Sequence, residues 1–437
     1  VHLDPTTHSG GLTAADLALS AQDYDFLLIE RPDFPGVIGV VHTYRGQADA
    51  SAVRKTLSRL APYLGRLGAV LRRAPQDAAE PYFEPVPFDA GAHVDEWTTD
   101  EEWPDAVLAE ITRRQLPTDR PLMRVHVIQG PQRWWLVFSF HHVTIDGATM
   151  GRLLMTDPGR DPAPAEPTAL TADTALRVRR DAIGTAPPPA RTDDSAAADD
   201  GFPAILPAHW KHRSLATATL GAQWRRLREE TGSTKGALAA WLSGAAIAGA
   251  VTTARGRCTT LGLNITVDLR RAAPPPVGGN WTSTILCPWA PGMEPGENLA
   301  VIGARLSGTD RSALVDQALA YEHECRDVPY AARREAAASW GENSFIVSPD
   351  GQRADWHAMV TVLPRLPAWH EPDDCTGHFV LPGAWLGAPW SLTWAVGEDS
   401  ASVCALSSSA EEPAQALIEA LLRAADTTPV LPRDDHR

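Results

Sequence analysis

Residues 134–140 read Trp-Trp-Leu-Val-Phe-Ser-Phe, with Trp134, Leu136, Phe138 and Phe140 pointing one way and Trp135, Val137 and Ser139 the other. A strand apolar on both faces has no side to offer water, so it must lie inside a sheet covered above and below. Residues 123–128 supply a partner strand, joined to it across Gln129-Gly130-Pro131-Gln132. Around this buried hairpin the pattern alternates between periods of two and 3.6 residues. Residues 37–44 are rich in β-branched side chains and read as a strand. Asp49 introduces a helix with Val53, Leu57, Leu60 and Leu64 on one face. Residues 103–114 form another, with Leu108 and Ile111 inward. The helical pattern in residues 13–28 ends at Pro32 and Pro35.

At 437 residues the chain exceeds one small core and predicts two lobes of similar size. Between residues 157 and 208 the composition shifts to Pro, Ala and Asp, with Pro187-Pro188-Pro189 and an acidic tract at 193–200, which predicts a linker or crossover. A modest helical pattern at 171–183 interrupts it. The expected division is therefore an N-terminal lobe at 1–156, the linker at 157–208 and a C-terminal lobe at 209–437. In the last of these, helices are expected at 220–230, 235–252, 312–326 and 413–424, and strands at 259–269, 357–363, 390–396 and 402–406.

Composition excludes several classes. The 39 basic against 54 acidic residues give a formal charge of -15, a surface that repels nucleic acid and anionic lipid. An anionic ligand would need a local basic patch; the adjacent pairs Arg54-Lys55, Arg225-Arg226, Arg270-Arg271 and Arg333-Arg334 are candidates, each also readable as a solvated face. Five scattered cysteines without CxxC spacing read as reduced residues of a cytoplasmic protein, and residues 1–11 show no secretory signal. The uncharged run 236–254 approaches spanning length, yet it is mostly Ala, Gly, Ser and Thr, so a buried core helix is expected and no integral membrane segment. Only Lys55, Lys211 and Lys235 stand against many arginines, which with the Ala and Pro content suggests a GC-rich bacterial source.

Directly after the buried strand comes His141-His142-Val143-Thr144-Ile145-Asp146-Gly147, or HHxxxDG. Acyl transfer from a thioester to an alcohol or amine needs a base that takes the nucleophile's proton during attack, and imidazole suits that task near neutral pH. Strand alternation would put His142 on the side of Phe138 and Phe140 and His141 opposite, so only one of the two faces a given pocket. Asp146 reads as an orienting group, through a buried ion pair or hydrogen bonds, or as the cap of a helix starting near Ala148. Gly147 would permit a turn or close approach.

The segment resembles the active-site signature of the chloramphenicol-acetyltransferase-like superfamily, which includes nonribosomal-peptide condensation domains, wax ester synthase/diacylglycerol acyltransferases and polyketide-associated acyltransferases. Leu116-Pro117-Thr118-Asp119-Arg120-Pro121-Leu122 is similar to the LxxDRPLW lead-in of that family, residues 230–246 to its ATxNDVxLAAxA helix, and Val267-Asp268-Leu269-Arg270 with Gly279-Asn280 to its VDLR…GN segment. The resemblance spans residues 17 to about 422. It implies an α/β fold of the α+β sandwich type, two such lobes arranged as a pseudo-dimer around a central tunnel. It also implies His142 as general base, His141, Asp146 and Gly147 as structural residues, and Arg66 of Tyr63-Leu64-Gly65-Arg66-Leu67 as the partner of Asp146. Thr282, Ser283 and Thr361 are candidates for contacting the oxyanion or substrate. No bound cofactor or metal is expected. The donor is an acyl thioester on phosphopantetheine, carried by a carrier protein or coenzyme A; the acceptor is a small alcohol or amine, and the chain is expected to be a monomer.

The DFGWG segment of condensation domains and plant relatives is missing, and Met359-Val360-Thr361-Val362-Leu363-Pro364 only loosely resembles the SNVPGP of wax ester synthases, so donor class stays open. Dihydrolipoyl acyltransferases carry a similar motif near their C-terminus, whereas here most of the chain follows it. The spacings His209-x-x-His212 and Glu322-His323-Glu324-Cys325 lack zinc-hydrolase geometry. The competing expectation is a non-catalytic member of the same fold that recruits a carrier protein or tailoring enzyme; such members lose the second histidine, which this chain keeps.

Overall fold

The computed structural model describes residues 17–30, 35–73, 80–117, 119–156, 213–256, 258, 261–271, 280–338, 356–366, 368, 370, 372–383 and 388–427. The linker expected at 157–208, with its helix at 171–183, lies outside the described residues, as do His209 and His212.

Two main sheets carry the fold. In the first, β1 (Val37–Arg45), β4 (Val94–Thr98), β5 (Met123–Gln129), β6 (Arg133–His141) and β11 (Cys375–Leu381) lie in the order β11-β1-β6-β5-β4. The doubly apolar strand β6 is at its centre, antiparallel to both neighbours. One face of β6 joins a core with Val40, Val53 and Leu57, the last two from α2 (Ala50–Leu60). Its other face, Trp135 and Val137, packs with Leu108 and Ile111 of α3 (Asp105–Arg113). Helix α2 starts where expected because the Asp49 carboxylate accepts from the Ser51 and Ala52 amides at 2.9 and 3.0 Å. A short ribbon, β2 (Ala69–Arg72) with β3 (Tyr82–Pro85), completes this part.

The second sheet has six strands, β7 (Ser214–Leu220), β8 (Leu261–Asp268), β9 (Thr282–Trp289), β10 (Trp356–Pro364), β12 (Trp390–Val396) and β13 (Ala401–Ser407), in the order β7-β13-β12-β10-β8-β9. Lys235–Arg255 is long and apolar enough to cross a membrane, but its buried side chains belong to the core of this lobe, together with Leu417 and Leu421 of Ala414–Thr427. A Cβ on Gly244 of that helix would fall 2.4 Å from the Trp289 ring, so close packing against β9 requires glycine there.

The lobes exchange chain. Strand β11, from the C-terminal part of the sequence, pairs with β1, placing Val380 opposite Val40 and His378 opposite His42. In the other direction, helix α1 (Ala21–Leu28) reaches C-terminal groups: the Gln22 amide donates to the Thr282 carbonyl at 3.0 Å, and Arg333 pairs with Asp25 at 2.8 Å. The sequence pattern at 220–230 divides in the structure, with Leu220 closing β7 and the helix running over Ala222–Thr231.

Candidate active site

Strand β6 ends at His141, and residues 142–144 turn. The alternation expected to set the direction of His142 therefore stops one residue short of it. The turn is pinned by its backbone, with His142 N donating to Gly36 O at 2.9 Å and Thr144 N to His141 O at 3.0 Å. The His142 ring stacks on Phe26 of α1, with centroids 4.0 Å apart and planes 12° from parallel.

His142 is oriented by Asn280, just before β9, whose side chain makes three bonds. Asn280 Nδ2 lies 2.8 Å from Asp23 Oδ1 and 2.7 Å from the His142 carbonyl, and Asn280 Oδ1 lies 2.9 Å from His142 Nδ1. A carboxylate and a carbonyl can only accept, so both hydrogens of the amide are committed to them. The remaining amide oxygen must accept, which makes Nδ1 of His142 the protonated nitrogen and gives Nε2 the lone pair. The amide is held in turn by Asp23, which also accepts from Asn280 N at 3.2 Å, Ser20 N at 2.8 Å and Arg66 Nη1 at 2.7 Å, with no exposed surface. Asp23 is the third helical residue of a capping box with Ser20, so the same carboxylate that starts α1 braces the histidine. Burial lowers the His142 pKa from its ordinary value, and this outweighs the opposing influence of Asp146 and Asn280.

Asp146 has a separate task. Its Oδ1 accepts from Thr149 N at 2.9 Å, capping α4 (Gly147–Met155). Its Oδ2 accepts from Arg270 Nη1 at 2.7 Å and Trp281 N at 3.0 Å. The carboxylate is fully buried; burial alone would raise its pKa, but Arg270 and the two amides hold it below the ordinary carboxylate range. The expected partner Arg66 is displaced by Arg270: Arg66 is committed to Asp23 and the Ala18 carbonyl, while the chain after β8 brings Arg270 to the motif. The clamp thus ties the motif to the second sheet through both Arg270 and Trp281.

His141 points elsewhere. Its Nδ1 accepts from Val143 N at 3.1 Å, so its proton is on Nε2, which lies 3.5 Å from Glu30 Oε1 without hydrogen-bond geometry. Burial would raise the Glu30 pKa, but His141 and Arg73, 2.7 Å away, bring it down to about 2. The two histidines therefore hold opposite tautomers, and the fold engages His141 with a carboxylate away from Asn280.

A Cβ on Gly147 would come within 2.9 Å of the Leu363 side chain on β10, so the glycine lets α4 meet the second sheet. Gly147→Ala should lower stability by about 1–3 kcal/mol through overpacking, read as a lower denaturant midpoint at unchanged slope. An unchanged midpoint would show that Leu363 moves aside freely.

Thr282 and Ser283 open β9 directly after Asn280 and Trp281, and Thr361 sits midway along β10, the strand that presents Leu363. Thr282 is engaged by Gln22 through its carbonyl and its hydroxyl, the latter at 3.4 Å. Among the described residues no group of three His, Cys, Asp or Glu side chains could hold a metal ion. Sequence reasoning missed Asp23, Phe26 and Glu30 as parts of the site. Asn280 stood within a quoted segment without a role, and Arg270 only as half of a candidate basic pair; the signal was their place in VDLR…GN, on the far side of a proline run from each other.

The solved structures that resemble this chain share its fold. The wax ester synthase/diacylglycerol acyltransferase from Marinobacter aquaeolei VT8 matches with a TM-score of 0.57 at 15% identity, covering 94% of this chain and 98% of that one. TRI101 of F. sporotrichioides, solved with coenzyme A and T-2, matches with 0.56 at 11% identity over 92% and 96%. The condensation domain of the Monacolin K polyketide synthase MokA gives 0.55 at 14% over 94% and 98%. A search of curated proteins by sequence returns no match. The two-lobed fold is thus the one seen in these acyltransferase and condensation-domain structures. The sequence model of the wax ester synthase/diacylglycerol acyltransferase catalytic domain matches residues 19–272, and the chain belongs to that family of acyltransferases. The matched stretch holds Asp23, Arg66, the motif and Arg270, and stops short of Asn280.

Proposed function

We propose that the chain joins an acyl group, delivered as a thioester on phosphopantetheine, to a small alcohol or amine, with His142 as general base and no acyl-enzyme. The observation that carries this reading is the Asn280 amide, whose bonds to Asp23 and the His142 carbonyl leave only its oxygen for His142 Nδ1. An imidazole locked as the Nδ1–H tautomer has its basic lone pair on Nε2, where an acceptor hydroxyl or amine can give up its proton. As the acceptor atom bonds to the thioester carbonyl carbon, its proton passes to Nε2. The carbonyl electrons shift to oxygen and return as the carbon–sulfur bond breaks, and the proton on Nε2 passes to the departing thiolate. Imidazole is thus regenerated and no oxidant or metal enters the balance. Thr282, Ser283 and Thr361 are the candidate donors to the oxyanion, and Asp146, Gly147 and His141 hold the frame.

Acyl thioesters of coenzyme A and of carrier proteins, paired with alcohols and amines, form the panel that tests this. With an active pair, the lowered His142 pKa fixes the sign of the pH response: the base is neutral above its folded pKa and is lost by protonation below it. The acidic limb of kcat/KM should therefore fall below about pH 6.5, the ordinary imidazole value. Asn280→Ala should lower kcat/KM by about tenfold or more, since the proton is then free to occupy either ring nitrogen. A limb above the ordinary imidazole value would oppose the assignment of a buried His142 as the base, and an Asn280→Ala variant with undiminished kcat/KM would oppose this role for the amide.

A further inference from the structure

We propose that Arg124, flanked by Arg120 and Arg114, binds a phosphate group. Among the described residues three arginines are buried: Arg66, Arg124 and Arg333. Arg66 has Asp23 at 2.7 Å and Arg333 has Asp25 at 2.8 Å. Among the described residues Arg124 has no carboxylate within ion-pairing distance; its Nη1 donates to the Met123 carbonyl at 2.9 Å and to His93 Nδ1 at 2.8 Å. A guanidinium only donates, so His93 Nδ1 accepts and the ring is neutral. Nε and Nη2 of Arg124 have no protein partner among the described residues, which leaves a planar donor edge of the kind that pairs with phosphate oxygens.

Arg120 and Arg114 act on Arg124 from nearby, as do the carboxylates of Asp95 and Asp119. Arg114 lies over the Trp97 ring at 5.9 Å, and exposed Arg120 meets exposed Asp119 at 3.4 Å. The second acid nearby, Asp95, sits 3.4 Å from His126 Nδ1, which already accepts from Trp97 Nε1 at 3.2 Å. Burial, reinforced by the positive charge of Arg124, brings His93 down to about 4 and His126 to about 3, so neither ring adds charge at neutral pH. One member of each adjacent pair singled out from the sequence meets a carboxylate: Arg54 meets Glu96, Arg225 meets Asp399, Arg270 meets Asp146 and Arg333 meets Asp25. Arg124 faces Ser139 across the β5–β6 pair, three residues before His142, or about 10 Å of strand. The donor's phosphopantetheine phosphate is one source that could fill it; a free phosphate is the other. Only the first source rests on the proposed acyl transfer.

Calorimetric titration of the full chain with coenzyme A, with pantetheine and with inorganic phosphate tests this without turnover, so an inactive protein that still binds would count against acyl transfer alone. Arg124→Gln should weaken coenzyme A by about tenfold or more, leave pantetheine unchanged, and abolish competition by inorganic phosphate. Loss of inorganic phosphate binding alone would assign the site to a free anion. If burial makes Arg124→Gln unstable, the exposed double variant Arg114→Gln/Arg120→Gln should still weaken binding by about threefold or more, and more at low salt than at high. Wild-type protein that binds neither phosphate nor coenzyme A, or variants that bind both as the wild type does, would overturn the proposal.

Discussion

Arg270→Ala is expected to destabilise the chain by about 3–5 kcal/mol, because it strips a buried carboxylate of its counter-ion. Asp146 would keep the Thr149 and Trp281 amides, but those are dipoles, and its oxygens have no exposed surface from which to recruit water. The loss would be felt at both ends of the clamp: α4 loses a charged cap, and the segment leading into β9 loses its tie to the motif. Asp146→Asn should cost less, since it removes the buried charge itself; its single carbonyl oxygen keeps one of the Thr149 and Trp281 amides and loses the other, while Arg270 retains Asp268 at 3.2 Å. Denaturant unfolding of the two variants orders them, with Arg270→Ala the lower midpoint. Equal midpoints within about 0.5 kcal/mol would mean that the pair contributes geometry and little energy. The sign with pH follows from the lowered Asp146 pKa: its contribution is present above the ordinary carboxylate value near 4 and is lost as pH falls through the lower folded value.

Much of this architecture was legible because it rests on local pattern. Strand β6 announced a doubly covered sheet, and both faces found their predicted helices through Val53, Leu57, Leu108 and Ile111. The apolar helix Lys235–Arg255 read correctly as core because its small residues, Gly244 above all, fit against an indole rather than lipid. What could not be read is the pairing of groups distant in sequence. Asp23 and Asn280 are 257 residues apart, and Asp146 and Arg270 are 124 apart; no periodicity encodes such contacts. Arg66 was expected at Asp146 on resemblance alone, and its true partner, Asp23, looks in the sequence like an ordinary helix-start acid. Strand β11 joining the first sheet escaped for a similar reason, since Cys375-Thr376-Gly377-His378 shows little alternation until Phe379 to Leu381. The direction of His142 could not be read from alternation for a local reason, because the strand ends at His141, one residue before it.

The separation of roles within the motif has its own consequence. Arg270→Ala acts mainly on stability, whereas His142 is part-exposed and packs by stacking on Phe26, so its removal should spare the fold. His142→Ala deletes the one group proposed to accept the nucleophile's proton, and general-base catalysis is worth about 10²–10⁴-fold. Its loss should appear in kcat, because the base acts in the transition state and contributes little to holding either substrate. The Asn280 amide would be left with Asp23 and one backbone carbonyl, both of which still accept from it. The decisive measurement is therefore kcat and kcat/KM of wild type and His142→Ala on the same acyl thioester and acceptor, with equal unfolding midpoints as the control. The account predicts a fall in kcat of about 10²–10⁴-fold; turnover by a folded His142→Ala variant within a few-fold of wild type would contradict it.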